Sequence, residues 1–358
     1  MRKQIYSAAV VAGFLLPMSA GAVEVVEDLL EVYGKIHVSA DYHEADTDGF
    51  DDGVSFASNS SRIGFRGAYT VAPGLDVIYQ FEQEVNIDDD HEDTFVTRES
   101  YLGAKGAYGS VALGRLESPA KLLGGRYTLF GDTVGDYRAI FSEGNIRADN
   151  ALRYDNTFAD LVKVSVLYAT DYTGDSGSNS DASVEDGDLY SASVDVRYGG
   201  LEAGVAYQNI EDYAYGYANG ASTVGEGELE TIRLGAAYTY GPLRVGLLYE
   251  ILDGDNAIYE RDAWNLNAAY ALTEQTSIMA QYAQADDNDA IGNSGAKQYT
   301  LGATHQVSKP LEVYAAYTYT DNDSNAGYSV IGGGHGDKLG LGDGEDGSAL
   351  SVGAILSF

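Results

Sequence analysis

The sequence predicts an all-β chain: a sixteen-stranded antiparallel transmembrane β-barrel with short periplasmic turns, long extracellular loops and a third long loop folded inward. Three observations carry this. Short segments alternate apolar with polar residues along the whole chain. The connections alternate as regularly, tight turn then long acidic loop. No segment after the N-terminus is long and apolar enough for a membrane helix.

The N-terminus comes first. Arg2 and Lys3 precede an apolar run from Ser7 to Leu16, and Ala20-Gly21-Ala22 offers a small-residue cleavage site. Residues 1–22 therefore read as an export signal peptide, and 23–358 as the barrel domain. A retained anchor helix fits less well, because the apolar run is too short to span a bilayer.

The strands follow by period. Tyr190, Ala192, Val194, Val196 and Tyr198 share one face, with Ser191, Ser193, Asp195 and Arg197 on the other. Leu243, Val245, Leu247, Tyr249 and Ile251 lie opposite Arg244, Gly246 and Glu250, and Leu311, Val313, Ala315, Tyr317 and Tyr319 repeat the pattern. One face suits lipid and the other water, over the length a tilted spanning strand needs.

A soluble sandwich also alternates, so the connections decide. Tight turns fall at Val71–Gly74, Gly106–Gly109, Phe158–Asp160, Gly199–Gly200, Gly241–Pro242, Thr273–Gln275 and Ser308–Pro310. Between them lie eight longer stretches, near 45–56, 86–94, 117–149, 172–187, 213–228, 253–260, 286–296 and 321–347. Seven turns and eight loops make fifteen connections and sixteen strands, an even number that leaves both termini on one side. Barrels of this size are known to be wide enough for an aqueous channel.

Composition narrows the function. There are 44 Gly, 29 Tyr, 5 Pro and no Cys, which excludes disulfides and Cys-based metal or redox sites. Loss of Arg2 and Lys3 with the signal moves the formal charge from −34 to −36, so nucleic acid is excluded as a partner. Acids cluster in loops: Asp88, Asp89, Asp90, Glu92 and Asp93; Asp286, Asp287 and Asp289; Asp343, Glu345 and Asp346. Divalent cations or cation-bridged lipopolysaccharide would suit them, but a solvated acidic rim is the simpler reading. No metal site or cofactor is assigned. The five histidines, His37, His43, His91, His305 and His335, form no zinc-protease motif, and neither a serine-hydrolase elbow nor a phosphate loop is present. Asp90-His91 stands as the only hint of a barrel hydrolase. The Gly332-Gly333-Gly334-His335-Gly336 run reads as a mobile loop.

Four segments give the chain a family resemblance: Ser61-Arg62-Ile63-Gly64-Phe65-Arg66-Gly67, Arg98-Glu99-Ser100-Tyr101-Leu102-Gly103, Gly109-Ser110-Val111-Ala112-Leu113-Gly114-Arg115 and the aromatic C-terminus. In this order and on this strand count, the chain resembles the Gram-negative general porins, over essentially its whole mature length. The resemblance implies a homotrimer in the outer membrane that passes small hydrophilic solutes and ions. It also implies that Phe358, sharing a face with Leu350, Val352, Ala354 and Leu356, is read by the barrel-assembly machinery.

On the second strand Ile63, Phe65 and Tyr69 make the apolar face, so Arg62 and Arg66 point inward. With Arg98, and with Arg147 just after the third loop, they match the family's basic wall; Arg115 and Arg153 are further candidates. The loop 117–149 is too long for an ordinary connection and rich in Leu122, Leu123, Tyr127, Leu129, Phe130, Tyr137, Ile140 and Phe141, which argues for folding against the inner wall. In the family this loop constricts the channel and opposes carboxylates to the arginines; Asp132 and Asp136, with Glu117 and Glu143 behind them, are the candidates here. The family's P-E-F-G-G loop signature is absent. Opposed charges across a narrow lumen bias ions and disfavour apolar solutes. The acidic mouths suggest a mild cation preference, which the constriction arginines oppose. Trp264 and Tyr69, Tyr190, Tyr198, Tyr238, Tyr240, Tyr270 and Tyr319 suit the lipid interface. Tyr314 faces the lumen and leaves a sugar-specific channel as the alternative.

Overall fold

In the computed structural model the described residues are 23–26, 29–45, 52–88, 94–141, 143–170, 172, 187–215, 225–337 and 339–358. The expected signal peptide at 1–22 and the loop residues Asp89, Asp90, His91, Glu92 and Asp93 lie outside them.

Among the described residues sixteen barrel strands form one antiparallel sheet. They are β1 (Leu30–Ala45), β2 (Gly53–Ser58 and Arg62–Ala72), β3 (Leu75–Val85), β4 (Phe95–Thr97 and Ser100–Gly106), β5 (Gly109–Glu117), β6 (Arg147–Phe158), β7 (Val162–Ala169) and β8 (Leu189–Tyr198). The second half comprises β9 (Leu201–Tyr215), β10 (Gly225–Tyr240), β11 (Leu243–Gly254), β12 (Arg261–Ala271), β13 (Thr276–Ala285), β14 (Ala296–Ser308), β15 (Leu311–Asn322) and β16 (Gly347–Ser357). The short segment Val23–Val26 pairs with the start of β1. Each barrel strand pairs with its sequence neighbours, and β16 pairs with β1 from Gly347 opposite Ala45 to Ser357 opposite Lys35, which closes the barrel. No described helix is long and apolar enough to cross a membrane.

The turns fall where the sequence places them. Gly74 and Gly241 adopt φ of 77° and 57°, the left-handed conformation that a short hairpin connection demands and glycine takes without steric cost. Alternation also holds. Val194, Val245, Leu247 and Tyr317 are exposed on the outer face, while Ser191, Ser193, Thr231, Thr300, Thr318 and Ser351 are buried on the inner one. Of the interface tyrosines, Tyr69, Tyr190, Tyr198, Tyr238, Tyr240 and Tyr270 are exposed. Tyr314 does face inward, but it is buried, its hydroxyl 2.9 Å from His37 Nε2.

The lumen is narrowed from within. After β5 the chain enters the barrel as helix α1 (Pro119–Arg126). Ser118 caps it by accepting a hydrogen bond from Lys121 N at 3.2 Å, and Pro119 stands at its first position, where its missing N–H costs nothing. The rest of the loop runs over the inner wall with Tyr127, Phe130, Val134, Ile140 and Phe141 fully buried. Wall glycines receive these rings. A Cβ at Gly235 would lie 2.0 Å from the Tyr127 ring, and one at Gly302 2.6 Å from Phe130.

The last loop, 323–346, differs from the sequence expectation. It too turns inward, burying Val330, Ile331, Leu339 and His335. The Gly332–Gly336 run is packed, because its lack of side chains lets it touch the first inward loop directly: a Cβ at Gly332 would lie 2.6 Å from Ala139 Cα.

At the closing seam Gly34 N donates to Phe358 O at 2.7 Å and Phe358 N to Gly34 O at 3.0 Å. The Phe358 ring covers Gly34, where a Cβ would meet its Cζ at 2.5 Å. Deleting Phe358 removes the last rung and its ring together, so the yield of folded protein in the membrane is expected to fall. Quantitative blotting of heat-modifiable protein measures this, and an unchanged yield disproves the role.

Candidate functional site

The site is built from the inner face of β1 to β6 and the inward loop. Lys35 and Arg62 stand directly opposite each other across the β1–β2 pairing. Like charges so placed repel. Asp132, on the loop, lies between them, its Oδ2 2.7 Å from Lys35 Nζ and 3.6 Å from Arg62, with Arg138 on its other oxygen at 2.8 Å. Burial alone pushes the Asp132 carboxyl upward, but Lys35, Arg138 and Arg62 outweigh it and hold the group well below the usual carboxylate range.

A second cluster continues along the wall. Arg98 bonds Glu82 at 2.6 Å and Glu84 at 2.5 Å, and Arg62 lies 3.8 Å from Glu82. Glu117 and Arg147 face each other across β5 and β6 at 2.7 Å, and Lys121 of α1 reaches Glu117 at 3.1 Å. Burial pushes the Lys121 ammonium down to about 8; the attraction of Glu117 opposes this, and Arg147, Arg138 and Arg98 add to it.

These groups line a cavity of about 770 Å³. Ten lysine and arginine side chains and five carboxylate side chains contribute to its wall. Four of those cations, Arg66, Arg126, Arg138 and Lys163, pair with carboxylates that stand behind the wall, Glu31, Asp195, Asp136 and Asp155, so the side chains presented to the cavity are mainly cationic although most of the charge is compensated.

The loop is held by an ion pair at its base. Arg233 on β10 and Glu250 on β11 are direct cross-strand partners, both completely buried, with Nε to Oε2 at 2.7 Å. The remaining guanidinium donors go to loop acceptors: Ala120 O at 3.0 Å, Gly144 O at 3.3 Å, Asn145 Oδ1 at 3.0 Å and Glu143 O at 2.9 Å. One arginine thus ties both ends of the loop to the wall.

The candidates from the sequence divide. Arg62, Arg98, Arg147, Asp132 and Glu117 converge on the cavity. Arg66 lines it also, paired with Glu31 at 2.6 Å and with its guanidinium 4.8 Å from the Tyr33 ring centre. Arg153 is engaged by Glu99 at 2.6 Å and Asp155 at 2.9 Å beside the cavity. Arg115 is displaced: it shares parity with the exposed Val111 and Leu113, stands opposite Ser100, and pairs with the exposed Asp149 rather than with the lumen cluster. Asp136 is fully buried inside the loop, where it caps the 3₁₀ turn Tyr137–Ala139 and binds Arg138, so its carboxylate has no lumen surface. Glu143 accepts from Tyr213 at 2.9 Å.

Lys35, Glu82, Glu84, Lys121, Arg138 and the Arg233–Glu250 pair were missed. Strand parity offered a signal for several of them. Lys35 shares its face with His37 and Asp41, and Arg233 and Glu250 are equidistant from the Gly241–Pro242 turn, which fixes them as partners. For Arg138 there was no signal.

A model of the Gram-negative porin family matches residues 7–325. The chain is 27% identical over 339 residues to outer membrane porin protein 32 of Delftia acidovorans, covering 90% of each chain. It is 27% identical over 256 residues to outer membrane protein U of Vibrio parahaemolyticus, 70% of this chain and 67% of that one. Among solved structures, it overlays an anion-selective porin from Comamonas acidovorans with a TM-score of 0.74 at 22% identity, covering 92% of this chain and 99% of that one. A trimer form of OmpT from Vibrio cholerae matches with a TM-score of 0.68 at 20% identity, with 92% and 99% coverage.

Replacing Arg233 by Met leaves Glu250 buried without a partner and frees the loop. Loss of a buried partner costs about 3–5 kcal/mol. The variant is expected to unfold at lower temperature and to give larger, noisier single-channel currents. In the Arg233→Met/Glu250→Leu double variant stability returns and the noisy current remains.

Proposed function

Because the chain belongs to the Gram-negative porin family, we propose that it forms a homotrimeric, passive diffusion channel of the outer membrane for small hydrophilic solutes and ions, and that its charged constriction favours anions. The family and its relatives are channels, not enzymes. The trimer form of a structural neighbour supports the assembly.

The lysine and arginine side chains presented to the 770 Å³ cavity, with several of their counter-charges set behind the wall, carry the ion preference. A narrow passage with low-dielectric walls concentrates field lines, so its fixed charges act on permeating ions more strongly than charges spread over a wide rim. The acidic loops draw cations to the mouth, but that exposed charge is screened over about 8 Å at physiological salt. The constriction therefore sets the sign. The Comamonas neighbour is an anion-selective porin, which agrees with this reading. The surface acids favour the opposite preference only at low salt.

Reversal potentials across planar bilayers in a KCl gradient test it. Anion preference is expected, stronger as salt rises and the mouth is screened, and weaker in the Arg62→Ala variant; cation preference at all salt concentrations refutes it.

The pH dependence has a defined sign. Lys121 is charged below about 8 and neutral above it. Raising the pH from about 7 to about 9 removes most of the Lys121 charge from each cavity wall, so anion preference is expected to fall over that interval. Reversal potentials for the Lys121→Met variant should show a smaller change over the same interval.

A further inference from the structure

The last extracellular loop touches the constriction at its most charged point. Its glycine tip rests on the first inward loop. A Cβ at Gly333 would lie 2.5 Å from the Asp136 carboxyl and one at Gly334 2.1 Å from Asp132 Oδ1. Gly333 and Gly334 also line the same cavity as Arg62 and Asp132.

The tip is received by the interruption of β2. There Asn59, Ser60 and Ser61 leave the strand, Ser60 with φ of 50°, and all three are buried. Ser60 Oγ donates to Gly334 O at 3.0 Å, and Gly336 N donates to Asn59 Oδ1 at 3.0 Å. Asn59 Nδ2 in turn donates to Ser39 Oγ at 2.9 Å, and Ser39 Oγ to Asp41 Oδ2 at 2.6 Å. That same Asp41 oxygen lies 3.2 Å from His335 Nε2, and neither side chain has any exposed surface. Val330, Ile331 and Leu339 of this loop share one buried apolar cluster with Leu129, Phe130 and Val134 of the first inward loop and with residues of the wall. Loops ordinarily run over the surface. This one spends its polar groups on a strand break in the inner wall.

We propose that the loop 323–346 is a second constriction element and that His335 is its positioning residue. The His335–Asp41 contact anchors the tip to β1, and the anchored tip blocks rotation of the Asp132 carboxylate away from Lys35 and Arg62. Permeation then depends on a residue that does not itself line the cavity. The inference rests on the diffusion-channel reading above.

Single-channel recording of the full mature protein tests it, on wild type, His335→Ala, His335→Gln and Asp132→Asn, with folding checked by heat-modifiable mobility. His335→Ala is expected to raise conductance and shift the reversal potential. His335→Gln, whose amide still donates to Asp41, should stay close to wild type. In the Asp132→Asn background the shift in reversal potential from His335→Ala should disappear, an outcome that a merely structural histidine does not produce. Folded His335→Ala with wild-type conductance and reversal potential overturns the proposal. If His335→Ala does not fold, replacing residues 329–340 by a short Gly-Ser turn takes its place, and unchanged conductance overturns the proposal equally. A wild type without any conductance overturns the channel reading, and this inference with it.

Discussion

Every backbone N–H and C=O that crosses a bilayer needs a partner within the protein, and a sheet meets that demand only if it has no edge. Here the requirement rests on the seam between β16 and β1, where Gly347 to Ser357 pair with Ala45 to Lys35. Closure has a second effect. It gives each strand an inner face shielded from lipid, so polar side chains such as Thr231, Thr300 and Ser351 occupy the inside while Val245, Leu247 and Tyr317 face outward. The site exists because the sheet closes.

A closed sheet of sixteen strands is too wide for wall side chains to fill, and the chain narrows it with its own connections. Two loops enter from the same rim and pack on each other. What fixes them is polar chemistry at a few buried points. Arg233 spends its donors on Glu250 and on four loop acceptors, and Asp41 gathers Ser39 and His335. Between these anchors, Asp132 lies where two facing cations, Lys35 and Arg62, need a negative charge. The geometry of the charged cavity wall is thus a product of cross-strand register as much as of loop sequence.

Register also explains what could be read in advance. The barrel was legible because a period of two, interrupted by turn residues, has few other interpretations, and the inward course of 117–149 was legible from its large apolar residues. The Arg62, Arg98 and Arg147 positions followed from strand parity joined to family likeness. Arg115 did not: it closes a family motif, but its parity with the outward Val111 and Leu113 places it on the other face. Asp136 was legible as an acid in the right loop, but whether an acid faces solvent or caps a turn depends on backbone conformation that no periodicity encodes. The Gly332–Gly336 run looked unstructured for a related reason. Glycine signals either freedom or close approach, and only the facing surface, here Ala139, Asp136 and Asp132, distinguishes them.

The wall glycines carry a consequence for how such a pore changes over generations. Gly235 and Gly302 have no charge and touch no solute, yet Tyr127 and Phe130 sit where their side chains would be. A single added methyl group at either position displaces an aromatic ring, and with it the loop that the ring anchors. Such a change reshapes the lumen from chemically silent positions in the wall and leaves the charged residues of the cavity untouched.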